Sequence, residues 1–210
     1  MIIDNRLAPV IPKQGGVTPV RVLYLIMKYP ENRNIHRPVH MYLKGNIYFI
    51  SAHTFNNLPY FKSDTNKEIW IKTIKGLISD IKLYAWFIGQ EHYHVLLKFT
   101  GERNISYFTS RLHSTTSKEI NKRNNSSGRR IWYQYWDYCI RNEKDFYVHF
   151  NYIHNNPIKH GYIKQVEQLK DYIYSSYPTY LKRKGVNWLN DLFERYPIID
   201  FSLKREDDYR

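Results

Sequence analysis

From Gly45 onward, apolar and polar positions alternate along the chain with recognisable periods. Ile47-Tyr48-Phe49-Ile50-Ser51-Ala52 follows Gly45-Asn46 as a short β-type run. Ser63 or Asp64 can cap a helix whose apolar positions Trp70, Ile74, Leu77, Ile78 and Ile81 recur at three and four, with lysines elsewhere on its wheel. Two strands, Leu83 to Ile88 and His92 to Phe99, flank Gly89. A second helix runs from about Ile105 to Asn121 on Ile105, Phe108 and Leu112. The polar loop Asn124-Asn125-Ser126-Ser127-Gly128 leads to a strand around Tyr138 to Ile140. A third helix starts at the N-cap Asn142, with Glu143 and Asp145 in its positively polarised first turn. It is expected to end near Asn156, because the residue before Pro157 disfavours the α region. The order β, α, β, β, α, β, α predicts an α+β domain, a single antiparallel-containing sheet with helices packed on it.

Residues 1–40 lack this regularity. Pro9, Pro12, Gly15, Gly16, Pro19, Pro30 and Pro38 punctuate an arm with at most one short ordered piece around Val20 to Met27. No period of repeat length is visible. Composition narrows the picture further. The chain has 210 residues, 42% of them hydrophobic and 17% aromatic, which excludes intrinsic disorder. No apolar run approaches a membrane span, and Asp4 and the early prolines do not fit a signal peptide. The single cysteine, Cys139, cannot form an internal disulfide, and a cytoplasmic setting is the simplest expectation.

Charge changes the picture most. There are 32 Lys plus Arg against 19 Asp plus Glu, a formal charge of +13 that favours a polyanionic partner. The excess is +5 in residues 1–44, +2 in 45–100, +6 in 101–164 and zero in 165–210. In the third segment the cations, among them Arg129, Arg130, Arg141, Lys144 and Lys159, are interleaved with Trp132, Tyr133, Tyr135, Trp136 and Tyr138. Rings among cations suit single-stranded nucleic acid better than a smooth duplex.

Two places could carry chemistry. In the strand from His92 to Phe99, Tyr93, Val95, Leu97 and Phe99 form the core face, leaving His92, His94, Leu96 and Lys98 on the other. Two imidazoles two residues apart on one strand face can hold a single metal ion. In the third helix Phe146, Phe150 and Ile153 form an apolar stripe, and a second stripe carries Asp145, His149, Tyr152 and Asn156. Tyr152 and Asn156 are neighbours on one helix surface. A tyrosine hydroxyl becomes a nucleophile when a nearby cation stabilises its phenolate, and an amide oxygen can complete a two-histidine metal site. Taken alone, each feature is also compatible with an ordinary packed histidine or tyrosine.

These pieces together resemble the single-tyrosine HUH transposases of the IS200-like superfamily, and in particular the REP-associated tyrosine transposases. The matching segments are Tyr42 to Ile50, Glu91-His92-Tyr93-His94-Val95-Leu96-Leu97, Tyr135 to Asn142, and Asn151-Tyr152-Ile153-His154-Asn155-Asn156-Pro157-Ile158-Lys159-His160-Gly161. Tyr174-Ser175-Ser176-Tyr177 adds a further match. The likeness implies a ferredoxin-like antiparallel sheet with helices packed on one face, plus the basic N-terminal arm. It divides the chain into that arm at 1–40, a catalytic domain at 41–180 and a C-terminal tail at 181–210. It implies Tyr152 as nucleophile and His92, His94 and Asn156 as ligands of Mg²⁺ or Mn²⁺. It further implies cleavage and rejoining of single-stranded DNA beside a REP-like hairpin through a 5′-phosphotyrosine, by a monomer or homodimer associated with the nucleoid. Lys98, Arg129, Arg130, Arg141, Lys144, His149 and Lys159 are the candidate DNA contacts. After its first strand the family commonly has a basic residue, where this chain reads Thr54-Phe55-Asn56-Asn57. The competing expectation is a domesticated nucleic-acid-binding protein that keeps the fold and no longer cuts.

Overall fold

A computed structural model describes residues 42–199 and 201; the N-terminal arm expected at 1–40 lies outside them. Four strands, β1 (Ile47–Thr54), β2 (Ile81–Ile88), β3 (His92–Phe99) and β4 (Trp132–Cys139), form one sheet in the order β2-β3-β1-β4. Every neighbouring pair is antiparallel, which with the chain order makes the ferredoxin-like arrangement. The helices are α1 (Asp64–Leu77), α2 (Ile105–Arg123), α3 (Glu143–Lys159), α4 (Tyr177–Lys184) and α5 (Val186–Arg195). Side chains cap the first three of these. Ser63 accepts from the Asn66 N–H, Asn104 from that of Tyr107 and Asn142 from that of Asp145. Ile81 belongs to β2 and not to α1, which stops at Leu77 and passes into a single tight turn over Ile78–Asp80.

The period-two pattern sorts the sheet into two faces. Tyr48, Ile50, Ala52, Tyr93, Val95, Leu97 and Phe99 pack under α1 and α2, against Trp70, Ile74, Phe108 and Leu112. Phe49, Ala85, Phe87 and Leu96 point the other way and pack against Phe146, Phe150 and Ile153 of α3. The expected class is therefore the one found, while the placement of all helices on one face is not. The reason is apolar area. The histidine-bearing face carries Leu96, Phe49 and Phe87, which need cover, and α3 supplies it.

Two further differences bear on the site. The helix α3 does not stop at Asn156 but continues through Pro157 to Lys159. A proline in the last turn forfeits only the bond to the Ile153 carbonyl, and the His160 N–H still closes on the Asn156 carbonyl at 3.0 Å. Gly161, at φ 67°, then ends the helix in the left-handed region. The segment 181–210, expected as a tail, contains α5, whose Leu189 and Leu192 are buried in the same core as α3. Their three-residue spacing makes an amphipathic helix that must bury its stripe.

Candidate active site

Pairing register builds the first half of the site. In the β1–β3 ladder His53 lies opposite His92, and Ser51 opposite His94, so three imidazoles share the face turned toward α3. Ring centroids are 5.0 Å apart for His92 and His94 and 5.1 Å for His53 and His92. Both strand histidines are buried. Burial, helped by the neighbouring His92 and His53, holds the His94 pKa well below the ordinary histidine value, so at neutral pH it is an uncharged lone-pair donor.

The second half comes from α3. Tyr152 is 6% exposed, and its ring centroid lies 5.2 Å from that of His94. Seven residues on, after two turns, Lys159 places its ammonium 3.4 Å from the Tyr152 hydroxyl oxygen and 5.1 Å from the ring centroid. Asn156 donates its amide to the Tyr152 carbonyl at 2.8 Å, which turns Oδ1 toward His92 Nε2, 3.2 Å away. The four residues expected at the centre, His92, His94, Tyr152 and Asn156, thus meet between β3 and α3.

Around them stand residues that the strand and helix periods did not single out. Glu91 Oε1 lies 3.2 Å from His92 Nδ1, and Tyr162 donates its hydroxyl to Oε2 at 3.2 Å. The His92 hydrogen bond, more than the other neighbours, holds the Glu91 carboxyl below its usual pKa against the opposing effect of burial. His160 packs against His92 with ring centroids 4.4 Å apart and planes tilted by 50°, and brings Nδ1 to 3.8 Å from Glu91 Oε1. Ligand atoms of Glu91, His92 and His160 lie within 4.8 Å of one another. No local period pointed to the two histidines: His53 joins the histidine face only through the β1–β3 register, and His160 reaches the site as the C-cap of α3 only because the helix runs past Pro157.

The donor set suits a divalent cation. With Glu91 accepting from Nδ1–H of His92, its Nε2 presents a lone pair to Asn156 Oδ1 across 3.2 Å. Two acceptors facing each other at that distance repel unless a proton or cation lies between them. The spacing is close to that of adjacent ligands on an ion with bonds of about 2.1 Å. Among the described residues the buried Nδ1 of His94 has no hydrogen-bond partner.

The expected DNA contacts are dispersed. Arg130, Arg141 and Lys144 are exposed, with Arg130 stacked over Phe55 and Tyr133 and Arg141 over Tyr138. Arg129 is half-buried over Tyr60 and bonded to Asn121. These groups lie at the two ends of the edge strand β4 and do not surround Tyr152. Lys98 is on the histidine face but about 20 Å along β3 from His92. His149 is not at the surface: it is buried between Tyr138 and Phe201, at 5.0 and 4.4 Å, with Nδ1 2.7 Å from the Asp145 carbonyl. Aromatic packing and that acceptor satisfy it internally.

A ferredoxin-like sheet carrying a histidine pair beneath a helical tyrosine and asparagine is the arrangement that the resemblance to the IS200-like transposases implies. The sequence model described as "Transposase IS200 like" matches residues 54–156, and the chain belongs to this family. It is 29% identical to the REP-associated tyrosine transposase of Escherichia coli (strain K12) over 168 residues, 77% of this chain and 92% of the relative. A solved REP-associated tyrosine transposase bound to a REP hairpin covers 71% of this chain and 87% of its own, with a TM-score of 0.58 and 23% identity, a likeness of fold. The chain is a transposase of this family. Among the described residues no helix is long and apolar enough to cross a membrane.

Proposed function

We propose that the chain cuts and rejoins single-stranded DNA beside a hairpin, with Tyr152 as nucleophile and His92, His94 and Asn156 as ligands of Mg²⁺ or Mn²⁺. The observation that carries this is the meeting, on one buried face, of the Tyr152 ring at 5.2 Å from His94 and the Asn156 amide oxygen at 3.2 Å from His92. The separation suits attack within one chain, so a monomer or each half of a homodimer can act.

The residues divide the work. Lys159 lowers the cost of charge on the Tyr152 oxygen as its proton leaves. That oxygen attacks phosphorus, the bond to the 3′-oxygen breaks, and the proton passes in net terms to the departing 3′-hydroxyl. A 5′-phosphotyrosine remains, and a free 3′-hydroxyl can later reverse the step on another end. Glu91 orients His92 through Nδ1, and a cation bound there would draw charge off the non-bridging phosphate oxygens. The hairpin is carried over from the REP-bound structural relative, and a REP-like palindrome is the substrate expected. DNA of this kind places the protein on the nucleoid in the cytoplasm, with the edge of β4 and the basic arm as its phosphate-facing surfaces.

The test uses the full chain and labelled single-stranded hairpins from the region flanking its own gene, with Mn²⁺ or EDTA. A covalent protein–DNA adduct is expected with Mn²⁺ and absent with EDTA or with Tyr152→Phe. Hairpin binding without any adduct across several flanking sequences would establish the domesticated binder instead.

A further inference from the structure

Beside the proposed site, where β2 turns into β3, the chain leaves a recess of about 440 Å³ walled by Tyr162, Tyr172 and Tyr174, with Lys67 and Asp171 in its lining. Its size falls in the range of about 300–1,000 Å³ that small-ligand pockets occupy. We propose that this recess holds one unpaired nucleobase of the DNA strand, with its phosphate, next to the point of cleavage. The proposal rests on the single-stranded substrate argued above.

Three features of the wall argue for a nucleotide. The first is its rings. Tyr162 and Tyr172 lie within 7° of parallel with centroids 6.2 Å apart, and Phe87 backs both at 6.2 and 6.0 Å. Rings half open to solvent and held in one orientation offer a base a ready stacking surface. The second is Lys67, a lysine only 8% exposed whose ammonium sits 4.3 Å over the Tyr174 ring. Its nearest acid, Asp64, is 3.7 Å away and also accepts from the Tyr174 hydroxyl. Burial lowers the Lys67 pKa despite Asp64, so an added anion in the recess would relieve a cation that is short of solvation. The third is Asp171, an exposed carboxylate that can accept N–H bonds from a base edge. A stacking face, one negative charge and N–H donors occur together in a nucleotide.

Connection to the cutting site runs through Tyr162. Its hydroxyl accepts from the Gln90 N–H at 3.0 Å and donates to Glu91, while its ring stacks on His160 at 6.0 Å. His160 in turn lies on His92. A base seated against Tyr162 is therefore one side chain removed from the histidine that faces the scissile phosphate, and its occupancy would fix which phosphate is presented.

The experiment uses the full chain carrying Tyr152→Phe, so that binding is read without cleavage. Each single-stranded nucleotide flanking the hairpin is replaced in turn by an abasic unit, and Kd is measured by fluorescence anisotropy at one salt concentration. One flanking position is expected to lose about 5- to 100-fold in affinity, as expected for loss of one stacked base. Adding Tyr172→Ala should shrink the penalty at that position to less than twofold and leave the other positions unchanged. Asp171→Asn, a surface change that leaves the core intact, should alter which base is preferred there and nowhere else. An unchanged profile in both variants, or a flat profile in the parent, overturns the proposal. Cleavage by the unmodified chain is measured separately, so failure of the recess with the adduct retained leaves the reading of the active site standing.

Discussion

Lys159 shows how a single side chain acquires a role from its place on a helix. By composition it is one more cation in a basic segment, and the sequence reading assigns it to DNA. In the fold its ammonium lies 3.4 Å from the Tyr152 hydroxyl oxygen, where charge develops if that oxygen attacks. Lys159→Met is therefore expected to slow single-turnover adduct formation by about 10- to 100-fold with Kd for the hairpin changed less than threefold, and Lys159→Arg to recover part of the rate. A loss confined to Kd would return Lys159 to the phosphate-binding surface. His92 and His94 were legible because strand parity puts them on the face that the apolar residues leave, and Tyr152 and Asn156 because they are four apart. The choice of Tyr152 among 20 tyrosines rests on the family resemblance and not on spacing. Glu91, His53 and His160 were not legible. Their placement depends on a cross-strand register and on α3 running past Pro157, and neither leaves a mark in local periodicity.

At the scale of elements, α3 is the piece that everything else must hold. Its Asn151 is buried and donates its amide to the carbonyls of Leu192 and Tyr196, each at 2.8 Å, tying α3 to the end of α5. Asn151→Ala removes both bonds and leaves the Leu192 carbonyl only the Tyr196 N–H, at 3.0 Å, so a loss of about 1–2 kcal/mol is expected, read as a lower urea midpoint at unchanged slope. The sequence reading left 181–210 as a tail because the family resemblance stops near residue 180. Leu189 and Leu192 at helical spacing were the overlooked sign. The other face of the sheet carries a pH dependence. His113 of α2 lies flat on Trp132 with centroids 4.7 Å apart and has Nε2 3.0 Å from the Tyr93 hydroxyl; burial pushes its pKa down from 6.5 to about 3. Below pH 6.5 the unfolded chain therefore takes up a proton that the folded chain refuses, so stability present above 6.5 is lost as pH falls toward 3. From pH 7.5 to 5.0 this group contributes a decline of about 1–2 kcal/mol. Thermal melts of His113→Gln should show a smaller drop over that interval, and an equal drop would assign the acid sensitivity elsewhere.

For the molecule as a whole, the sequence conveyed the number and order of elements better than their disposition. Apolar alternation located the sheet, and the resemblance supplied its topology. Nothing local says that α3 crosses to the opposite face from α1 and α2, because that follows from the area which Phe49, Phe87 and Leu96 leave uncovered. The same distinction applies to charge. Its total of +13 points to a polyanion, and its distribution assigns the excess to residues 1–44 and 101–164. In the fold the cations of the latter segment lie at both ends of β4, so a strand running along that edge would meet Arg130 at one end and Arg141 and Lys144 at the other. Residues 1–38 add Arg6, Lys13, Arg21, Lys28, Arg33 and Arg37 against Asp4 and Glu31. If these cations neutralise phosphates, each contact steepens the dependence of log K on log salt by about 0.7 for a single strand. Deleting residues 1–38 is then expected to flatten the slope by about 1–4 and to weaken hairpin binding most at low salt. The aromatic contribution from the recess around Tyr172 carries no counterion release and should survive the deletion. Parallel salt plots with equal affinity for the full and shortened chains would remove the arm from the DNA-binding surface and leave the whole electrostatic effect to the folded domain.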